Sequence, residues 1–185
     1  YLMPADFEDN VDLNNLIRNL VSFPPLFAII HLPSQKISLK PLARIQWAEY
    51  ETHMNIQLRS LQKIVQATIT SMKKSGSGYV ISISTDAIFG NDIPKGFTPY
   101  AVAKSALRGF MKSLDAEYRD TGVKVHQIIP KMFKSPLLEE IPNYVVEQTL
   151  SQQDIIETGS YQLRITTLIS DLLTKSLITD HEIRI

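Results

Sequence analysis

The chain has 185 residues, enough for one domain with a substantial core, and 44% of them are apolar, as in an ordinary globular protein. Basic and acidic side chains balance at 19 each, with no run of either sign, which argues against nucleic acid or an anionic membrane as a partner. No cysteine is present, which excludes disulfides, thiolate metal sites and a cysteine nucleophile and fits a cytoplasmic protein.

Residues 1–6 read as the end of a strand. Val11, Leu13, Leu16, Ile17, Leu20 and Val21 recur with helical period, so residues 10–23 are predicted helical with Asp9 or Asn10 as the cap. Pro24 and Pro25 stop that helix. The continuous apolar run 26–32 predicts a strand buried on both faces. A loop over 33–41 leads to a long helix over 45–74, whose stripe is Leu61, Ile64, Val65, Thr68 and Met72; Trp47 is expected to pack at its start. Ser75-Gly76-Ser77-Gly78 breaks it. A second buried strand is predicted over 79–84, then a loop over 85–97 and a helix over 99–120 that ends at Gly122. A third strand over 123–129 is closed by Pro130. A proline-bearing segment (131–142), short helical stretches, a helix over 161–175 and a last strand within 177–185 complete the order. Alternating strands and helices without an internal repeat predict a doubly wound parallel sheet, Rossmann-like, in one domain over 1–185. Ligands on such sheets bind at the carboxyl ends of the strands, where Asp6, His31, Thr85 and Pro130 fall.

The chemistry concentrates at Thr98-Pro99-Tyr100-Ala101-Val102-Ala103-Lys104. Thr98 suits a helix N-cap and Pro99 the first helical position. Tyr100 and Lys104 then share one helix face, one turn apart. A phenol beside an ammonium, at the positive end of a helix dipole, is expected to titrate below the ~10 of free tyrosine and so to serve as an acid or base. With seven tyrosines in the chain the pair alone is weak, and its value comes from what surrounds it. The four histidines, His31, His53, His126 and His181, have no metal-ligand spacing and are expected in structural or surface roles; no metal site is predicted.

The strand ending in Ser84-Thr85, the run Tyr100-Ala-Val-Ala-Lys104-Ser-Ala-Leu, and Val123-Lys-Val-His-Gln-Ile-Ile-Pro130 together resemble the second half of a short-chain dehydrogenase/reductase, most like the 3-oxoacyl reductase branch. The resemblance implies an NAD- or NADP-dependent oxidoreductase acting on a carbonyl, a secondary alcohol or an acyl-thioester. It casts Tyr100 as acid/base, Lys104 as its electrostatic partner and ribose holder, Thr85 in place of the family's serine, and Gln57 in place of the asparagine that holds a relay water. It places Asp6 near the adenine and Pro130 and Ser135 along the cofactor; Lys131 stands where the family has glycine. The helices carrying Leu61 and Leu107 build a dimer face in that family, implying a homo-oligomer. The chain departs from the pattern at its front. The glycine-rich turn and the first two strands are not among its 185 residues, so the fold is expected to be N-terminally incomplete, either as part of a longer protein or as a remnant that pairs its open edge. The rival reading is a non-catalytic scaffold or subunit of the same fold, a pseudoenzyme without the cofactor.

Overall fold

The computed structural model describes residues 2–89, 93–151, 158–175 and 181–185. Helix α1 (Asn10–Ser22) starts where Asp9 accepts hydrogen bonds from the backbone N–H of Val11 and Asp12, so Asp9 is the cap. Strand β1 (Ala28–His31) follows, then α2 (Trp47–Met54), a wide π-helical turn (Asn55–Arg59) and α3 (Ser60–Lys74). Strand β2 (Gly78–Ile83), α4 (Thr98–Tyr118) and β3 (Val123–Ile129) form the centre, and α5 (Asn143–Ser151), α6 (Thr158–Lys175) and β4 (Glu182–Arg184) end the chain.

The four strands form one parallel sheet in the order β1-β2-β3-β4. Ile29, Val80, Val123 and Val125 point to one face, where Leu61, Val65 and Met72 of α3 and Leu107, Met111 and Leu114 of α4 meet them, with α1 packed alongside through Leu16, Ile17 and Leu20. Tyr79, Ile81 and Ile128 point to the other face and meet Leu172 of α6. Helices therefore cover both faces, the doubly wound α/β arrangement that the alternating pattern predicts. Each fully buried aliphatic side chain contributes about 1.5–3 kcal/mol. At the end of α4, Gly122 has φ of +80°, and a Cβ there would stand 2.2 Å from the carbonyl oxygen of Gly76, so only glycine fits.

Several expectations are corrected. Residues 2–6 are not a strand: among the described residues the sheet begins at β1, and an extended segment with no neighbouring strand has nothing to bond its backbone groups. β1 is not buried on both faces, because it lies at the sheet edge; Ile29 and His31 are covered while Ile30 and the flanking Phe27 and Leu32 are exposed. The long helix starts two residues later than expected, at Trp47, where Gln46 and Glu49 cap reciprocally, and it is interrupted by the π-helical turn. Trp47 does not pack into the start of that helix; it is 71% exposed and stacks on Tyr50. Thr98 is inside α4, with Phe97 as the cap residue and no side-chain cap bond, while Pro99 sits in the first turn as its fixed φ allows. The expected last strand keeps only Glu182–Arg184; residues 176–180 lie outside the described set.

Candidate active site

The ends of β2 and β3 stay tied beyond the ladder. Ser84 N–H donates to the Ile128 carbonyl and Asp86 N–H to the Pro130 carbonyl, which fixes Thr85 between them. Thr85 caps a short 3-10 turn, its hydroxyl accepting from Ala87 N–H at 3.3 Å, and its side chain lines the same cavity as Tyr100. Tyr100 comes from the first turn of α4, and one turn on Lys104 extends its Nζ to donate to the Ile83 carbonyl at 2.8 Å, standing 5.7 Å from the centre of the Tyr100 ring. A cavity of about 560 Å³ opens here at the carboxyl ends of the strands, and Thr85, Tyr100, Lys104, Pro130 and Ser135 all line it. Lys131 lines it too and is exposed.

Two expected site residues lie elsewhere. Asp6 is exposed, does not line the cavity, and uses a carboxylate oxygen to accept from Glu8 N–H at 2.8 Å. It remains near the same sheet edge, because the adjacent Phe7 ring lies against His31 at the end of β1. Gln57 is fully buried behind the cavity wall, where its amide Nε2 donates to Nδ1 of His53 at 3.0 Å; the His53 ring meets Tyr100 edge-on with centroids 6.1 Å apart. His53 and His31 carry the polar lining behind the wall and are not surface residues: each is buried, and His31 Nε2 meets the Ser60 hydroxyl at 2.9 Å. That hydroxyl donates to the Ile56 carbonyl at 2.6 Å, so His31 Nε2–H is the donor to it. In the sequence these histidines have only helix and strand neighbours; His53 reaches Tyr100 through the packing of α2 on α4, and His31 reaches Ser60 at the start of α3.

Electrostatics here run opposite to the sequence expectation. Burial raises the Tyr100 phenol to about 12, with the Thr85 hydrogen bond opposing it. Burial brings Lys104 down to about 7. The helix dipole and the neighbouring ammonium do not lower the phenol because both groups have left water, and desolvation penalises the charged form of each. Burial, then the Lys104 charge, hold His31 and His53 at about 4, so both imidazoles are neutral in the neutral range.

A second set of residues closes over the cavity. Ile37, from the loop after β1, donates its N–H to the Leu137 carbonyl, and Lys36 pairs with Glu139 at 2.7 Å. Ile37, Phe97, Tyr100, Leu138, Ile141 and Val146 form a third apolar cluster around the opening. This pairing of two distant segments carried no sequence signal beyond scattered apolar residues.

Residues 2–144 match the short chain dehydrogenase family. The chain belongs to that family. An uncharacterized oxidoreductase of Staphylococcus aureus (strain MW2) is 28% identical over 163 residues, 88% of this chain and 69% of that protein. An uncharacterized oxidoreductase of Staphylococcus epidermidis (strain ATCC 12228 / FDA PCI 1200) is 23% identical over the same shares. Among solved structures, 3-ketoacyl-(acyl-carrier-protein) reductase from Brucella melitensis, complexed with NADH, superposes with a TM-score of 0.79 at 13% identity over 98% of this chain and 74% of that one. The fold and the oxidoreductase family therefore agree with the resemblance seen in the sequence. Among the described residues no helix is long and apolar enough to cross a membrane.

The donor set at the cavity fits the nicotinamide–ribose half of a dinucleotide. Lys104 has ammonium protons beyond the one given to Ile83, and the Ser84 hydroxyl, buried on the cavity wall, has no hydrogen-bond partner. An unpartnered hydroxyl on a residue beside such a cavity is one that a ligand amide or hydroxyl can satisfy.

Proposed function

We propose that this chain is an NAD(P)-dependent reductase of small carbonyl compounds, with Tyr100 as the proton donor. The observation that carries this is that Thr85, Tyr100 and Lys104 line one cavity, with Lys104 one helix turn from Tyr100 and its Nζ 5.7 Å from the centre of the ring. Lys104, Ser84, Pro130 and Ser135 are the residues that would hold the cofactor. When bound, the dinucleotide supplies the hydride.

The chain's own groups do the rest. Thr85 donates to the substrate carbonyl oxygen and so orients it over Tyr100. As the carbonyl carbon gains the hydride, the phenol O–H gives its proton to the oxygen; the product is the alcohol and Tyr100 is left as phenolate. The Lys104 ammonium stabilises that phenolate until it is reprotonated from water. A phenol held at about 12 is protonated at neutral pH and so carries the proton that reduction needs. Leu32, Ile37, Phe97, Met132, Phe133 and Leu138 give the cavity apolar walls, so the carbonyl sits on an apolar body. The Brucella melitensis structure is of a ketoacyl reductase, and an acyl-thioester is a second form of the same substrate chemistry.

The test is a titration of NADH and NADPH into the chain, followed by fluorescence, and a ketone screen with whichever binds. Micromolar binding with NAD(P)H-dependent ketone reduction supports the reading. A folded chain that binds neither nucleotide overturns it.

A further inference from the structure

Directly behind Tyr100, on the side away from the cavity, lies a hydrogen-bonded pair that the reaction above does not use. His53 closes the last turn of α2, and Gln57 lies within the π-helical turn that follows. Both are buried, Gln57 completely. The Gln57 amide donates to His53 Nδ1 at 3.0 Å, and the imidazole stands edge-on to the Tyr100 ring at an interplanar angle of 73°. Phe97 meets the same ring edge-on from another side, at 88°. The phenol is thus held between two aromatic rings, of which only His53 is itself fixed by a hydrogen bond.

Such a pair is a poor way to stabilise a core. Gln57 Oε1 is buried with no partner, and a buried amide half-satisfied costs more than an apolar side chain of the same size. What the hydrogen bond provides is orientation: an imidazole bonded at Nδ1 cannot turn about its Cβ–Cγ bond, whereas a phenyl ring in its place could. We propose that His53, clamped by Gln57, is the positioning residue of Tyr100, packing against its ring so that the whole side chain keeps the direction in which its hydroxyl reaches the cavity beside Thr85. This rests on the reading of Tyr100 as proton donor. The groups that face His53 are Tyr100 and Lys104 from α4, Glu49 from its own helix and Glu8 from the N-terminal segment. The imidazole stays neutral against that mixed field, so the pair is an orienting device at neutral pH and not a source of charge.

The test compares the wild-type chain with His53→Ala and with the double variant His53→Phe/Gln57→Leu, which keeps the packing volume and deletes the clamp. Two readouts are taken: the nuclear Overhauser contact between the Tyr100 ring and the Thr85 methyl group, with the rate of Tyr100 ring flipping, in the cofactor-free chain; and kcat and KM of ketone reduction. Both variants are expected to lose the Tyr100–Thr85 contact and to flip faster, and kcat falls about tenfold to a hundredfold at unchanged KM. The double variant melts no lower than wild type, so loss of fold does not explain its effect. If the double variant keeps the wild-type contact, flip rate and kcat, His53 only fills space and the proposal is overturned. Should the wild type reduce no ketone, the proposed reaction fails by itself, and the resonance readout on the cofactor-free chain still decides the role of His53.

Discussion

The two walls of the cavity are built to different standards. The wall of β2, β3 and the first turns of α4 is part of a continuous parallel ladder, backed by Val80, Leu107 and Met111, which are essentially inaccessible to water. The opposing cover is made of the loop after β1 and the segment after β3, which meet through the backbone hydrogen bond from Ile37 to Leu137 and the exposed ion pair of Lys36 with Glu139. Tyr100, Lys104 and Thr85 all belong to the first wall. Chemistry that depends on sub-ångström placement is carried by the rigid elements, while access and substrate fit are left to the part whose opening costs least.

The strongest way to break that contrast is on the rigid wall. Tyr100→Phe removes one oxygen, keeps the ring between His53 and Phe97, and is expected to lower kcat by about a thousandfold. Thermal unfolding should be almost unchanged, and a variant that retains its rate removes Tyr100 from the mechanism. Leu107→Ala, by contrast, opens a cavity under the ladder and should cost about 2–5 kcal/mol in denaturant unfolding.

The same contrast decides what could be read in the sequence. The rigid wall was legible: the buried runs ending at Ile83 and Ile129 and the stripe through Leu107 and Met111 give β2, β3 and α4 within a residue or two, because periodicity is a local property. From these the places of Thr85, Tyr100, Lys104 and Pro130 follow. The cover was not legible, since Ile37 and Leu138 are far apart in sequence and meet only by tertiary packing. Nor was the sign of the electrostatics. Spacing says that Tyr100 and Lys104 are neighbours, but only burial says that both are driven toward their neutral forms. Residues 2–6 mark the limit of a local pattern: a strand-like sequence remains irregular where, among the described residues, no neighbouring strand supplies its hydrogen bonds.

Lys104 sharpens the point through pH. Its folded value of about 7 lies below the 10.5 it has in water, so the unfolded chain binds the extra proton between these limits. Stability should therefore rise as pH increases from about 7 to 10.5, and this part of the pH dependence should vanish in Lys104→Met. On the acid side His31, held at about 4 against 6.5, makes the fold lose stability as pH drops through that interval. Guanidinium unfolding at a series of pH values checks both, and a flat wild-type profile between 7 and 10.5 would mean that Lys104 stays charged when buried. In catalysis the loss of the ammonium above about 7 should lower the rate of reduction, and Lys104→Met should be slow at every pH with that limb absent.

The smallest effect belongs to the cover. Lys36 and Glu139 are both about half exposed, so their ion pair is screened and Glu139→Gln should leave global stability almost unchanged. What it changes is local. With the charge gone, the cover keeps the Ile37–Leu137 hydrogen bond and the apolar cluster but loses its ion pair, and opens more often. Amide exchange at Ile37 should then quicken several-fold while exchange at Val80 and Val125, in the ladder, stays at the wild-type rate. Ile37, Leu137 and Leu138 of the cover also line the cavity beside Tyr100, so how firmly the cover sits sets the room left for a substrate. Glu139→Gln should therefore alter KM for bulky ketones by a few-fold with little change for small ones, and a KM shift equal for both would mean that Lys36 and Glu139 act on the substrate's charge and not on the cover.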